Sequence, residues 1–573
     1  MKRRSPLAAA ALLAILSLGL VGGAPTVDAA PDLKEPPTQS KPPSGFERSA
    51  RQVIAIAART DEVQAERRRR RGLEPTAYTK GPGRWQVGYF AGDKERAQVI
   101  VDDRSGAVLE AWTGPQVAWS MARGYEGAFG RKLNAPYVWI PLCVMFLLPF
   151  FDPRRPFRLL HLDLLVLLAF GASHVFFNRG EIDTSVPLVY PVLLYLLVRV
   201  LLAGFRRREH PGPLVPIAPA TWLAIGLVFL VAFRIGLNVT DSNVIDVGYA
   251  GVIGADRIAD GDQLYGEGEF PDNNAHGDTY GAANYLAYLP FEQVMPWSGD
   301  WDDLPAAHTA AVLFDLVTIG GLLLLGRRLR PESEGRRLGL ALAFAWSAFP
   351  YTLFVLSSNA NDTLVSMLVV LALLALTMKP ARASASAAAR GGALALGTAA
   401  KFAPLALAPL FARGVGKLRL SSLVVFGVVF ALVTATLLVG FLPDGGWREF
   451  YDRTVGFQAN RDSPFSVWGQ FGGLETPHTV VKAAVAALAL LVAFVPRRRD
   501  VFQVAALGAA VLIGLQLTAD HWFYLYVVWF LPFVLVTIFA PYRGATEGEQ
   551  PRERAGPDEL ASSSQARRET AVA

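Results

Sequence analysis

The sequence predicts an all-α polytopic membrane protein of about 13 transmembrane or re-entrant segments, with a small α+β extracytoplasmic domain near its N-terminus. Three observations predict it. Of the 573 residues, 52% are hydrophobic and only 18% are charged, where a soluble chain carries roughly a quarter charged. Glycine, proline and tryptophan number 52, 38 and 12, as expected of membrane helices and their interfacial belts. From Ala135 onward, apolar runs recur, most of them approaching the roughly 20 residues that cross a bilayer. The lone cysteine, Cys143, leaves no intrachain disulfide framework or thiolate metal site. The net charge of +6 is divided among short basic runs between apolar segments. That is the pattern of membrane loops, not of a nucleic-acid-binding face.

The elements follow in chain order. In residues 1–30, Arg3 and Arg4 precede an apolar stretch and then small residues, which reads as a secretory signal peptide. Residues 31–45 are a Pro/Lys/Ser-rich linker. Residues 46–119 read as a small folded unit: helical spacing over Arg51–Arg71, an alternating strand at Trp85, Val87 and Tyr89, and a hairpin around Asp102–Gly106. The run Arg67–Arg71 reads as a solvated helix end, with anionic lipid contact as the sharper alternative. Its stretch Val99–Gly114 resembles a PepSY-type domain.

The apolar spans are expected at 135–151, 159–177, 186–205, 218–237, 306–326, 337–357, 362–379, 388–400, 402–412, 420–442, 480–495, 501–517 and 522–540. The pair flanking Lys401-Phe402-Ala403-Pro404 is too short for two crossings and reads as re-entrant or kinked. With 46–119 placed outside, Arg154-Arg155, Arg206–Arg208, Arg327-Arg328, Arg336-Arg337, Lys379 with Arg382, Arg413 with Lys417 and Arg419, and Arg497–Arg499 all fall on the cytoplasmic side. The tail 541–573 then reads as a disordered cytoplasmic segment. The expected location is the plasma membrane, with membrane lipids as partners.

Two long loops fall outside. Residues 238–305 carry 13 Asp and Glu against the single Arg257; residues 441–479 are mixed in charge and contain Arg448, Arg453 and Arg461. Val247–Ile258 and Tyr285–Val294 suit interfacial helices. An acidic loop beside a basic one fits transfer of a sugar from a polyprenyl phosphate. The departing phosphate needs cationic stabilisation at headgroup depth, and the attacking hydroxyl needs a carboxylate to take its proton. Asp246 is the candidate base, with helix capping as its plain structural alternative. Lys401 is the candidate phosphate ligand, against simple snorkelling. Arg461 is a second candidate cation, against an ion pair with Asp462 or the acidic loop. Asp260 and Asp262 flank Gly261 as a turn would, with acceptor binding the lesser reading. Asp272 and Asp278 read as solvated, a divalent cation staying compatible with them; no other cofactor is expected. Asp520-His521 sits at an outer mouth, Arg234 and Asp315 read as partners within spans, and His161, His174 and His308 lack metal-ligand spacing.

Several segments carry a family resemblance. Asp246-Val247-Gly248-Tyr249 through Ala259-Asp260-Gly261-Asp262-Gln263-Leu264-Tyr265 is similar to the first periplasmic loop of GT-C glycosyltransferases, in particular the polyprenol-phosphate-mannose-dependent mannosyltransferases of glycosyltransferase family 87. Tyr280–Pro290 resembles the aromatic stretch that follows, Asn361-Asp362 a span start, Lys401–Pro404 the lysine-proline hairpin, and Gln458–Ser463 a later outer loop. The resemblance covers about residues 218–540. Three extra spans (135–205) and the outer domain precede the acidic loop, which in the family follows the first span. The resemblance implies an inverting enzyme that transfers mannose or a related sugar to an extracytoplasmic glycan or glycolipid. In it Asp246 acts as base, Lys401 and Arg461 bind the donor phosphate, and Tyr249, Asp260, Tyr265, Gln458 and His521 contact substrate. The competing class is a secondary transporter or flippase, but no matched halves with paired broken helices are visible.

Overall fold

The computed structural model describes residues 33–92, 94–124, 130–206, 210–300, 304–459, 461 and 463–543. The expected signal peptide and nearly all of the tail lie outside the described residues.

The N-terminal unit is a five-stranded antiparallel sheet in sequential order, β1 (Leu33–Lys34), β2 (Glu74–Lys80), β3 (Arg84–Ala91), β4 (Lys94–Asp102) and β5 (Val108–Thr113). Trp85, Val87 and Tyr89 alternate onto one face and are buried with Val99 and Val101 against Ala50, Val53 and Ala57 of α1 (Ala50–Ala57). Asp103 closes the unit. Its carboxylate accepts the Trp85 indole N–H at 2.8 Å and the Glu47 amide at 2.6 Å. Two details differ from the expectation. The single helix over 51–71 is broken: Thr60 caps α2 (Asp61–Arg69) by accepting the Val63 amide. The stretch read as linker supplies the edge strand β1, paired with β2.

The rest is helical: α3 (Pro136–Leu147), α4 (Leu159–Asn178), α5 (Ile182–Phe205), α6 (Ala220–Thr240), α7 (Asp246–Asp260), α8 (Ala282–Glu292), α9 (Pro305–Leu329), α10 (Glu332–Ala348), α11 (Pro350–Ser357), α12 (Asp362–Leu376), α13 (Ala383–Ala400), α14 (Ala408–Arg413), α15 (Leu420–Gly440), α16 (Glu475–Phe494), α17 (Val501–Thr518) and α18 (Val527–Phe539). Among the described residues, seven helices are long and apolar enough to cross a membrane. Two further pairs are bent spans or re-entrant loops: α10–α11, bent by 58°, and α12 with Pro380–Ala400, bent by 119°. Proline after Phe349 and after Lys379 accounts for both breaks, since it removes a donor and clashes with the preceding turn.

One charge pair lies deep inside this apolar bundle. Arg234 of α6 grips Asp315 of α9 through two hydrogen bonds of 2.9 and 2.7 Å, and the Trp346 indole donates to the same carboxylate at 2.8 Å. Helices α3, α4 and α5, the first of them only 12 residues long, share one continuous apolar core with the later helices. Polar pins add to it: Tyr524 of the last span meets Ser173 and Ser185 at 2.6 and 3.0 Å, and Tyr190 accepts the Val467 amide at 3.1 Å.

The bundle has two chemically distinct ends. At one, basic segments meet: Arg413 donates to the Arg497 carbonyl at 2.6 Å, the Gly416 amide to the Arg499 carbonyl at 2.9 Å, and Arg419 to the Pro380 carbonyl at 3.3 Å. Helices α9 and α15 connect this end with the loops 238–305 and 441–479 at the other.

Candidate functional site

The site is built where the chain leaves α6. The segment 241–245 pairs with the break between α11 and α12: the Asn243 amide donates to the Ser357 carbonyl at 3.0 Å and the Ile245 amide to the Ser358 carbonyl at 3.2 Å. Asn359, at φ +50°, donates to the Asn243 carbonyl at 2.9 Å. A side chain at Gly248 would lie 2.4 Å from the Asn359 carbonyl oxygen, so only glycine permits this approach. Asp246, which opens α7, and Asp362, which opens α12, are therefore positioned by one shared break.

Asp246 stands in the first turn of α7, with Ile245 as the N-cap, where the helix dipole favours a negative charge. The capping role held open in the sequence is thus not its position. Its side chain is exposed, and its carboxylate accepts the Val247 amide. Although the carboxylate opens to solvent, the protein mass around the site lowers its hydration and raises its pKa. The positive charges of Arg461 and Lys401 oppose that rise, and the negative charge of Asp362 adds to it. These four groups share one electrostatic neighbourhood.

Lys401 follows the last turn of α13 in extended backbone. Its Nζ donates to Asp362 Oδ1 at 2.7 Å, and Trp529 Nε1 donates to the same oxygen at 2.8 Å. The ammonium also lies over the rings of Trp529, Tyr280 and Tyr526 at 5.3, 5.4 and 5.6 Å, within reach of cation–π attraction. Asp362 is fully buried, and its Oδ2 has no partner among the described residues. Gly281 brings Tyr280 close, since a Cβ there would lie 2.3 Å from the Ala399 carbonyl oxygen.

Arg461 stacks over Trp119 at 4.7 Å and Phe457 at 5.8 Å. It makes no hydrogen bond or ion pair with the described residues; Asn460 and Asp462 lie outside them. The loop that carries Arg461 is clamped to the acidic loop. Arg453 donates to Asp278 Oδ2 at 2.5 Å, and Gln458 Nε2 donates to Thr279 Oγ1 at 2.9 Å. This corrects the reading of Asp278 as solvated: it is fully buried, because it is the counter-ion that joins the two loops. Asp272 is exposed.

The other candidates distribute unevenly. His521 joins the cluster: its Nδ1 lies 2.9 Å from Ser463 Oγ, and its ring lies 5.5 Å from Trp119. Burial, then the charges of Arg461 and Lys401, push its pKa well below the usual value. Gln458 borders the cluster through Thr279. Tyr265 supports it from behind, donating to the Tyr280 carbonyl at 2.9 Å. Tyr249 is 1% exposed and packs on Trp297 in the outer apolar cluster. Asp260 ends α7, roughly 21 Å of helix from Asp246 at 1.5 Å per residue. Gly261 beside it adopts the left-handed turn at φ 79°.

Sequence reasoning assigned no role to Trp119, Tyr526 or Trp529 and saw Asp362 only as a span start. An ionisable residue opening an apolar span is itself a signal, and it could have singled out Asp362. Among the described residues, no group of three or more His, Cys, Asp and Glu could hold a metal ion. Compared with known proteins, the chain matches no family model and no curated protein. What the fold defines is a helical protein with apolar, membrane-length helices and a cluster of opposed charges at the end bearing its two long loops.

Proposed function

We propose that the protein is an integral-membrane glycosyltransferase of the GT-C kind. It moves a sugar, mannose or a close relative, from a polyprenyl-phosphate donor to a glycan or glycolipid acceptor outside the plasma membrane. What supports this reading is that Asp246 and Asp362, the partner of Lys401, open helices at one shared break, while the loop that carries Arg461 is clamped to the acidic loop. In the reaction, Asp246 takes the proton of the acceptor hydroxyl as its oxygen bonds to the anomeric carbon. The bond from that carbon to the phosphate oxygen breaks on the opposite face, inverting the centre, and the electron pair leaves with the polyprenyl phosphate. Lys401 and Arg461 hold that anion. An ammonium has three donors, so Lys401 can keep Asp362 and still donate to phosphate. The reaction calls for no resident cofactor. The two long loops and the N-terminal unit then lie outside, and the basic end and tail in the cytoplasm.

The test is to incubate purified protein with radiolabelled polyprenyl-phosphate mannose and cell-envelope glycolipids. Label appearing in the acceptor supports the enzyme. Uptake of label into sealed proteoliposomes without any transfer contradicts it and favours the transporter class.

A further inference from the structure

The N-terminal unit reaches the charged cluster through Trp119. After β5 the chain turns at Gly114 into a short helix, Pro115–Ala118, and Trp119 follows it. This segment is clamped on both sides. Arg123 donates to Gln98 Oε1 of β4 at 2.6 Å and to the Gln116 carbonyl at 2.8 Å. Gln116 in turn donates to the Gly180 carbonyl at 3.0 Å, between α4 and α5. Trp119 is therefore fixed by the sheet and by the extra spans together. Its ring meets Phe465 edge-on at 5.5 Å, and its face takes the Arg461 guanidinium at 4.7 Å.

An arginine stacked on an indole keeps its in-plane N–H fork unspent, because stacking uses the face of the group and not its edge. Among the described residues, the contacts of Arg461 are with ring faces, Trp119 at 4.7 Å and Phe457 at 5.8 Å, and the nearer of these orients its fork. We propose that Trp119 is a positioning residue for Arg461: the N-terminal unit and the three preceding spans supply the platform that presents this guanidinium to the phosphate of the donor. This rests on the glycosyltransferase reading above. It also gives the segments before residue 218 a task in the site.

The probe is radiolabelled farnesyl phosphate, bound to the full-length protein in detergent, with farnesol as the uncharged control. Trp119→Leu should weaken farnesyl phosphate binding about threefold to tenfold, as loss of a cation–π contact implies, and leave farnesol binding unchanged. Trp119→Phe, which keeps a ring for Phe465 and Arg461, should restore most of the affinity. In an Arg461→Gln background, Trp119→Leu should have no further effect, since two residues acting as one unit are non-additive. Equal weakening by Trp119→Leu in both backgrounds, or full affinity in that variant, overturns the proposal while leaving the donor reading intact. Wild-type protein that binds farnesyl phosphate no better than farnesol overturns both.

Discussion

Asp246 and its neighbours make opposing demands that a pH profile can read. A general base works only when deprotonated, and reduced hydration beside the surrounding protein lifts the Asp246 pKa above its ordinary 3.8. Transfer should therefore fall as pH drops through a point above the usual carboxylate range. Arg461→Gln, by removing the largest opposing charge, should move that limb to still higher pH. A limb at the ordinary aspartate position, unmoved by Arg461→Gln, contradicts the assignment. His521 is held well below its usual pKa, so His521→Gln should leave the limb where it is. For Lys401 a simple truncation confounds two effects, because it strands the buried Asp362 charge. The double variant Lys401→Met/Asp362→Asn removes both charges. It should fold yet bind donor roughly tenfold to a hundredfold more weakly, the range expected for a lost charge-assisted hydrogen bond; unchanged donor affinity sinks the role given to Lys401.

At the scale of elements, helix α6 is tied to α9 by a fully desolvated pair, Arg234 with Asp315. Removing one partner leaves a buried charge and should cost about 3–5 kcal/mol, whereas replacing both with apolar residues is often close to neutral. Asp315→Ala should accordingly lower the melting temperature in detergent sharply, and Arg234→Met/Asp315→Leu should recover most of the loss. Equal melting of both variants would mean the pair does not act as a unit. The two long loops are joined in a similar way by Asp278 and Arg453. Arg453→Ala should open residues 266–280 to limited proteolysis while the spans stay intact.

For the whole molecule, the separation of basic from acidic ends predicts a topology. In a Cys143→Ser background, a membrane-impermeant maleimide should label Ser105→Cys on intact spheroplasts and spare Lys417→Cys until the membrane is broken; the reverse pattern inverts the account. The helices were legible in the sequence because each apolar run carries its own signal, independent of its neighbours. Strand β2 was not, since Glu74–Lys80 is largely polar and buries only Ala77. The break at Thr60 depends on one local cap and was equally hidden. Within the site, Lys401 announced itself as a charge at the end of a short apolar run, whereas Asp246 and Arg461 stood out as charges in the two outer loops and through the family resemblance. The pairing of Lys401 with Asp362 was not readable, because it is fixed by how α12 and α13 fold back on each other. Trp119 was hidden for a further reason: it enters the site from a separate folding unit.

The most direct measurement is a single-turnover assay of purified protein loaded with radiolabelled polyprenyl-phosphate mannose, following release of polyprenyl phosphate on addition of acceptor. Wild-type protein should release it. Asp246→Asn should bind the donor with unchanged affinity and release it about 10²–10⁴-fold more slowly, the usual contribution of a general base. Release by Asp246→Asn at the wild-type rate would contradict the account.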